Sequence, residues 1–341
     1  MTFKTEHPHN QAIDILRVIS IFAVILIHTT SRTLETVHYD LQSTTWSFIL
    51  NQISRFAVPL FFLISGFVLE LNSGSFTNYF TYLKKRIHRI IIPYVFWSAV
   101  YYYFVYTHHS AGFFATLLDG SSSYQLYFIP SLLLLYLIFP LLHRMLSFLS
   151  RWWVLLPILL VQVYLQQEAY HFRPLPVYYP VNIAILNFFP FLIGMVSARF
   201  RDKLLPVFTK YRYLLFLAVI FFGGFVAWQG YTRYYQIWNF EAFYFQWRPG
   251  VLFYTLSLFG FCYYLFHRIS IPPGLVSFLS RSSFFVYFVH IIVLENIWKY
   301  LGGHITTALW FDPVFFVLTA VISFTLAGIF HRIPHLSQVA G

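Results

Sequence analysis

A helix that crosses a bilayer needs about 20 mostly apolar residues, and this chain is largely built from stretches of that kind. Ten candidate spans can be read along it: Ile13–Ser31, Trp46–Leu71, His88–Tyr106, Leu126–His143, Trp152–Gln167, Val181–Arg199, Tyr213–Gln229, Pro249–Phe266, Ser277–Trp298 and Pro313–His331. The fifth is the weakest, because it is short and ends in Gln166, Gln167 and Glu168. The joining loops are short, and no internal repeat or appended soluble segment is apparent. The expected fold class is therefore all-α: a polytopic integral membrane bundle of about ten helices, with residues 1–341 forming a single transmembrane domain.

The cations support this reading. Lys84, Lys85, Arg86, Arg89, Arg144, Arg151, Arg199, Arg201, Lys203, Lys210, Arg212, Arg268 and Arg281 fall in alternate loops, with Lys4 and Arg332 at the ends. The opposite loops hold only Arg32, Arg173, Arg233, Arg248 and Lys299. Cytoplasmic loops collect Lys and Arg, so both termini are expected in the cytoplasm, as an even number of spans requires. The protein is expected in the cell membrane as a multi-pass chain.

Composition excludes other classes. Of 341 residues, 59% are hydrophobic and only 10% charged, with a mean hydropathy of +0.66, whereas soluble domains carry about 25% charged residues. The net charge of +11 reads as loop asymmetry, and no nucleic-acid partner is expected. The lone Cys262 excludes an intrachain disulfide and a CxxC metal or redox pair. The first apolar run lacks a small-residue cleavage site, so it is read as a retained span.

Charged groups inside apolar spans are functional candidates by default. Asp14 and Arg17 lie three apart on the first span and share a helix face. Arg17 and His28 are eleven positions apart, roughly 16 Å along the axis at 1.5 Å per residue. Eleven steps make about three turns plus 20°, so both lie on one face. Arg55 lies too deep in the second span to snorkel and should face the bundle interior. Pro59 interrupts its backbone ladder, and Ser65 and Gly66 permit close helix approach. Arg86 and Arg89, one helical face at the membrane surface, suit a phosphate-rich ligand or anionic lipid. On the ninth span Ser283, Tyr287 and His290 form one polar stripe, facing either a cavity or another helix. No metal-ligand cluster is evident. The bland readings of His28 and His290 are hydrogen-bonded structural histidines.

Taken in order, these elements resemble the acyltransferase-3 family of integral membrane acyltransferases. The resemblance spans nearly the whole chain. It rests on Asp14…Arg17-x10-His28, on Arg55 to Gly66 with the run VPLFFLISGF, on Arg86-x-x-Arg89 before Pro93-Tyr94, and on Ser282 to His290, SSFFVYFVH. One element departs: where family members often carry a His and a Trp, this chain has Gln125-Leu126-Tyr127-Phe128-Ile129. The chain looks most like short stand-alone members, which include O-acetyltransferases and succinyl-type transferases of surface polysaccharides. The resemblance implies an acyltransferase that moves a group other than aminoacyl. Acyl-CoA, acetyl-CoA first, would be the co-substrate, and the acceptor a hydroxyl of a surface glycan or lipid-linked sugar.

In such an enzyme Arg86, Arg89 and Arg17 would hold the CoA phosphates, and the pantetheine arm would thread along the first helix. His28 would act as general base or as a transient acyl carrier. Arg55 would stabilise the oxyanion, and Tyr287 and His290 would orient the acceptor. A flippase or exporter of a glycan or lipid is the alternative, since intramembrane Arg and His also mark transport paths. A glycosyltransferase using a lipid-linked sugar would want an acidic catalytic loop, and Glu35, Asp40 and Glu241 form no paired motif.

Overall fold

A computed structural model describes residues 10–35, 41–73, 81, 82, 84, 87–106, 111–171, 173, 175–233, 246–269, 271–304, 307–333 and 339. Among the described residues the structure is helical, with no strand. The helices are α1 (Gln11–Glu35), α2 (Leu41–Ile53), α3 (Ala57–Leu71), α4 (Ile92–Val100), α5 (Phe113–Asp119), α6 (Phe128–Leu149) and α7 (Trp152–Tyr170). They continue as α8 (Tyr179–Leu186), α9 (Phe188–Arg199), α10 (Arg201–Lys210), α11 (Arg212–Tyr231), α12 (Pro249–Phe266), α13 (Pro273–Leu301) and α14 (Ala308–Arg332).

Seven helical stretches are long and apolar enough to cross a membrane, and an eighth is counted if α8 and α9, bent by 47°, form one broken span. The chain is thus a multi-pass membrane protein, and ten is an approximate count. The other two expected spans are helical as well. The third is a short α-helix between π-helical turns, Ile87–Ile91 and Tyr101–Val105. The fifth, α7, carries polar side chains on its later turns.

Those polar side chains have a physical cause. Pro190 lacks the N–H that would bond the carbonyl of Leu186, so the helix breaks there. The amides of Gln162 and Gln166, both buried on α7, each donate to Leu186 O at 2.9 Å. The backbone N–H of Phe189 donates in turn to Gln162 Oε1 at 3.0 Å. Inside a bilayer no water takes over such groups, so protein side chains must. Pro140 in α6 repeats the device: it frees Tyr136 O, which accepts the Tyr82 hydroxyl at 3.0 Å.

The most extensive helix pair is α3 with α9, and glycines on both sides set its distance. A Cβ on Gly66 would lie 2.1 Å from Phe191 O, and one on Gly194 1.9 Å from Leu63 O. The small-residue close approach expected at Gly66 is therefore a crossing at which neither helix has room for a methyl group. Around it α1 packs on α2, α3, α13 and α14 and forms the axis of the bundle. Gly194→Ala is expected to cost about 1–3 kcal/mol through overpacking, lowering the melting temperature by several degrees. Gly224→Ala on α11, where a Cβ meets nothing within 4 Å, should be neutral or mildly stabilising. Thermal unfolding of both variants in detergent or nanodiscs checks the pair, and equal shifts would contradict the close-crossing account.

Candidate active site

The helix broken between α2 and α3 places the first candidate side chain. Pro59 cannot bond Arg55 O, and the chain passes through tight turns, Arg55 N to Gln52 O at 3.2 Å and Ala57 N to Ser54 O at 3.1 Å. Arg55 sits in this break, 3% exposed. Its guanidinium donates to Asn51 Oδ1 from Nε at 3.0 Å and also from Nη2. Asn51 Nδ2 faces α1, with Ile27 O at 3.1 Å, Thr30 Oγ1 at 3.0 Å and Ser31 Oγ at 3.1 Å. The Asn51 amide is thereby oriented without ambiguity: its oxygen meets the guanidinium and its nitrogen meets the turn of α1 that carries His28.

Arg55 and His28 line one cavity of about 630 Å³, together with Tyr124, Tyr127, Trp247 and Tyr287. The His28 ring lies 5.1 Å from the Tyr124 ring and 5.3 Å from the His290 ring, centroid to centroid. His290 does not line the cavity. It is fully buried behind His28, and its Nδ1 donates to Val286 O at 2.9 Å, which leaves Nε2 as the acceptor nitrogen, with no partner among the described residues. The rim carries an ion pair between Arg32 of α1 and Glu295 of α13, with the Arg32 guanidinium 5.7 Å from the Trp298 ring centroid.

A second crevice, of about 260 Å³, opens nearer the N-terminal end of α1 and is lined by Arg17, Arg89, Ser283 and Tyr136. Arg17 Nη1 reaches Asp14 Oδ1 at 3.4 Å and Ser280 Oγ at 3.0 Å, and the Ser280 hydroxyl donates to Asp14 Oδ1 at 2.6 Å. The pairing of Asp14 with Arg17 expected from spacing is present and recruits a hydroxyl from α13. Arg89 is exposed, and Arg86 lies outside the described residues. Phe128 and Tyr287 line both spaces and form the wall between them. Their rings are 5.6 Å apart, edge to face, Phe128 also packs at 4.8 Å on Phe62, and the Tyr287 hydroxyl donates to Gln125 O at 2.5 Å.

Of the residues singled out from the sequence, His28, Arg55 and Tyr287 meet in one cavity, Arg17 and Arg89 meet in the other, and His290 supports from behind. Ser283 faces the second crevice with its hydroxyl bonded to Leu279 O at 2.8 Å. Several residues escaped sequence reasoning. The segment that departs from the family pattern contributes Gln125, Tyr127 and Phe128 to the cavity wall. Asn51 is one of two adjacent amides within the second expected span, near the C-terminal end of α2. Arg248, read as a loop cation, is fully buried; only its position beside Pro249 at a helix start hinted at inward placement. Among the described residues no group of three His, Cys, Asp or Glu could hold a metal ion. Chemically, an imidazole and a buried guanidinium lining one cavity combine a proton acceptor with a stabiliser of developing negative charge.

Comparison with known proteins identifies a family and several relatives. The acyltransferase-3 model, described as an acyltransferase domain, matches residues 10–332. A Staphylococcus aureus (strain MRSA252) protein, provisionally named as a poly-β-1,6-N-acetyl-D-glucosamine export protein, is 26% identical over 302 residues, covering 84% of this chain and 82% of its own. The counterpart in strain Mu50 is 25% identical over 300 residues with the same coverage. A Bacillus subtilis (strain 168) protein, provisionally named as the membrane-bound acyltransferase YfiQ, is 25% identical over 301 residues, covering 82% of this chain and 79% of its own. No solved structure matches. The match across residues 10–332 establishes that this chain belongs to the acyltransferase-3 family.

Proposed function

We propose that the protein is a cell-membrane enzyme that moves an acyl group, acetyl first, from cytoplasmic acyl-CoA to a hydroxyl of a surface glycan or lipid-linked sugar, acting as one transmembrane unit with both termini cytoplasmic. The observation that carries this reading is the stacking of two spaces on one wall: the Arg17–Arg89 crevice and the His28–Arg55 cavity share Phe128 and Tyr287. In this reading Arg89 and Arg17, with Arg86 beyond the described residues, hold the phosphates of the donor. The pantetheine arm then displaces the two-ring wall and delivers the thioester to His28.

The acceptor oxygen attacks the thioester carbonyl while His28 takes the hydroxyl proton. Arg55 balances the oxyanion of the tetrahedral intermediate. The intermediate collapses with cleavage of the C–S bond, and the imidazolium returns its proton to the departing CoA thiolate. If His28 instead carries the acyl group, its ring nitrogen attacks first and the same thiolate leaves; the acceptor oxygen then bonds the acyl carbon as the N–C bond breaks, and its proton passes to the CoA thiolate. His290, bonded through Nδ1 to a carbonyl, keeps its tautomer fixed beside His28, and Tyr287 and Tyr124 shape the space offered to the acceptor.

His28→Ala is expected to lower turnover by about 10²–10⁴-fold, the usual weight of a general base, with normal membrane insertion. CoA thiol release from acetyl-CoA measures it, with oligomers of β-1,6-linked N-acetylglucosamine as first probe acceptor, a choice drawn from the names of two relatives. A variant that acylates at wild-type rate overturns the role of His28. Arg89→Ala and Arg17→Gln should raise the KM for acetyl-CoA with a smaller change in kcat, as expected when binding shared by ground and transition states is removed. Unchanged KM in both would remove the donor site from this crevice. Those two relatives are named for export, so proteoliposomes that move the oligomer without releasing CoA would favour a transporter.

A further inference from the structure

The guanidinium of Arg248 is out of reach of water and, among the described residues, pairs with no carboxylate. It is 0% exposed, sits at the start of α12, and lies 5.9 Å from the centroid of the Tyr170 ring. Burying a guanidinium is costly unless other groups compensate, so the group it bonds is informative. Arg248 Nη2 donates to Gln52 Oε1 at 2.7 Å. Gln52 Nε2 donates onward to Asn51 Oδ1 at 3.3 Å. That same oxygen accepts the guanidinium of Arg55. Each amide in this line has its oxygen and nitrogen assigned by its neighbours, so the chain of donors runs one way, from Arg248 through Gln52 to Asn51.

We propose that Gln52 and Arg248 are positioning residues for acyl transfer: through Asn51 they fix the Arg55 guanidinium relative to the turn of α1 that carries His28. This inference rests on the reading of Arg55 as the oxyanion group. Asn51 is the joint, because its oxygen holds Arg55 while its nitrogen holds Ile27 O, Thr30 and Ser31. An amide held only by Arg55 and α1 could still rock, and the contact from Gln52 limits that motion. The notch that admits Gln52 is Gly230 of α11, where a Cβ would lie 2.4 Å from Gln52 Oε1 and 2.9 Å from its Cγ. None of these three residues lines the reaction cavity.

Two variants test the relay without emptying the site. Gln52→Leu removes the link, and Gly230→Ala pushes the link aside while favouring the helix that bears it. In full-length protein assayed by CoA release from acetyl-CoA, each is expected to lower kcat by about 10- to 100-fold, the cost of misplacing a catalytic group by about an ångström. The KM for acetyl-CoA should stay unchanged. In an Arg55→Ala background the same changes should cost nothing further, because residues acting through one group are not additive. Equal losses with and without Arg55 would mean a merely structural role and overturn the proposal, as would no loss at all. The rate of phenylglyoxal addition at Arg55, followed by mass spectrometry, reads the same relay without turnover and should change several-fold in both variants. If the wild-type protein releases no CoA, the acyl-transfer reading fails. The phenylglyoxal rate then decides the relay by itself, and an unchanged rate overturns it.

Discussion

Everything in this fold answers to one constraint: inside the bilayer a backbone carbonyl or amide without a helical partner must find a protein group, because no water reaches it. The prolines make the constraint visible. Pro190 frees Leu186 O, and two glutamines from a neighbouring helix take it. Pro140 frees Tyr136 O, and a tyrosine hydroxyl takes it. Pro59 opens the break in which Arg55 sits. At Pro190 and Pro140 the irregular backbone is met by side chains from other segments, and the break at Pro59 borders the candidate cavity.

The same bookkeeping explains the use of tyrosine. The hydroxyls of Tyr94, Tyr101 and Tyr287 each donate to a carbonyl of a different element: Leu117 O at 2.5 Å, Phe288 O at 2.7 Å and Gln125 O at 2.5 Å. The ring supplies apolar area and the hydroxyl fixes the register between neighbours. Tyr287 is the case closest to the candidate site, since its ring lies between two cavities and its hydroxyl ties that ring to the loop before α6. The wall is therefore held by one directional bond and a set of ring contacts, which a long thin ligand can exchange for its own.

Much of this was legible in the sequence. Span positions followed from hydropathy, and the shared face of Arg17 and His28 followed from helical periodicity. Arg55 stood out as a charge that lipid would not tolerate without a reason, and Gly66 as a place where helices approach closely. What stayed hidden was of two kinds. Contacts between distant segments, such as Arg248 with Gln52 across 196 positions, leave no periodic trace. An amide within a span, such as Asn51, or an aromatic in a connecting segment, such as Trp247, shows no sign of its inward placement until the bundle closes over it. The polar tail of α7 is the instructive case: Gln162 and Gln166 weaken it as a span by composition, yet they are there because a proline in another helix leaves a carbonyl for them to bond.

That bond between α7 and the broken span has an evolutionary consequence. Pro190 and the pair Gln162–Gln166 are complementary, so neither side can change alone without stranding polar groups in hydrocarbon. Replacing the proline with a good helix former would close the backbone ladder and orphan two amides. Replacing the glutamines with leucine would make a better membrane helix by composition and leave Leu186 O bare. The two sites are therefore expected to drift together among related sequences, and a helix-breaking residue that looks like a defect would persist as half of a matched pair.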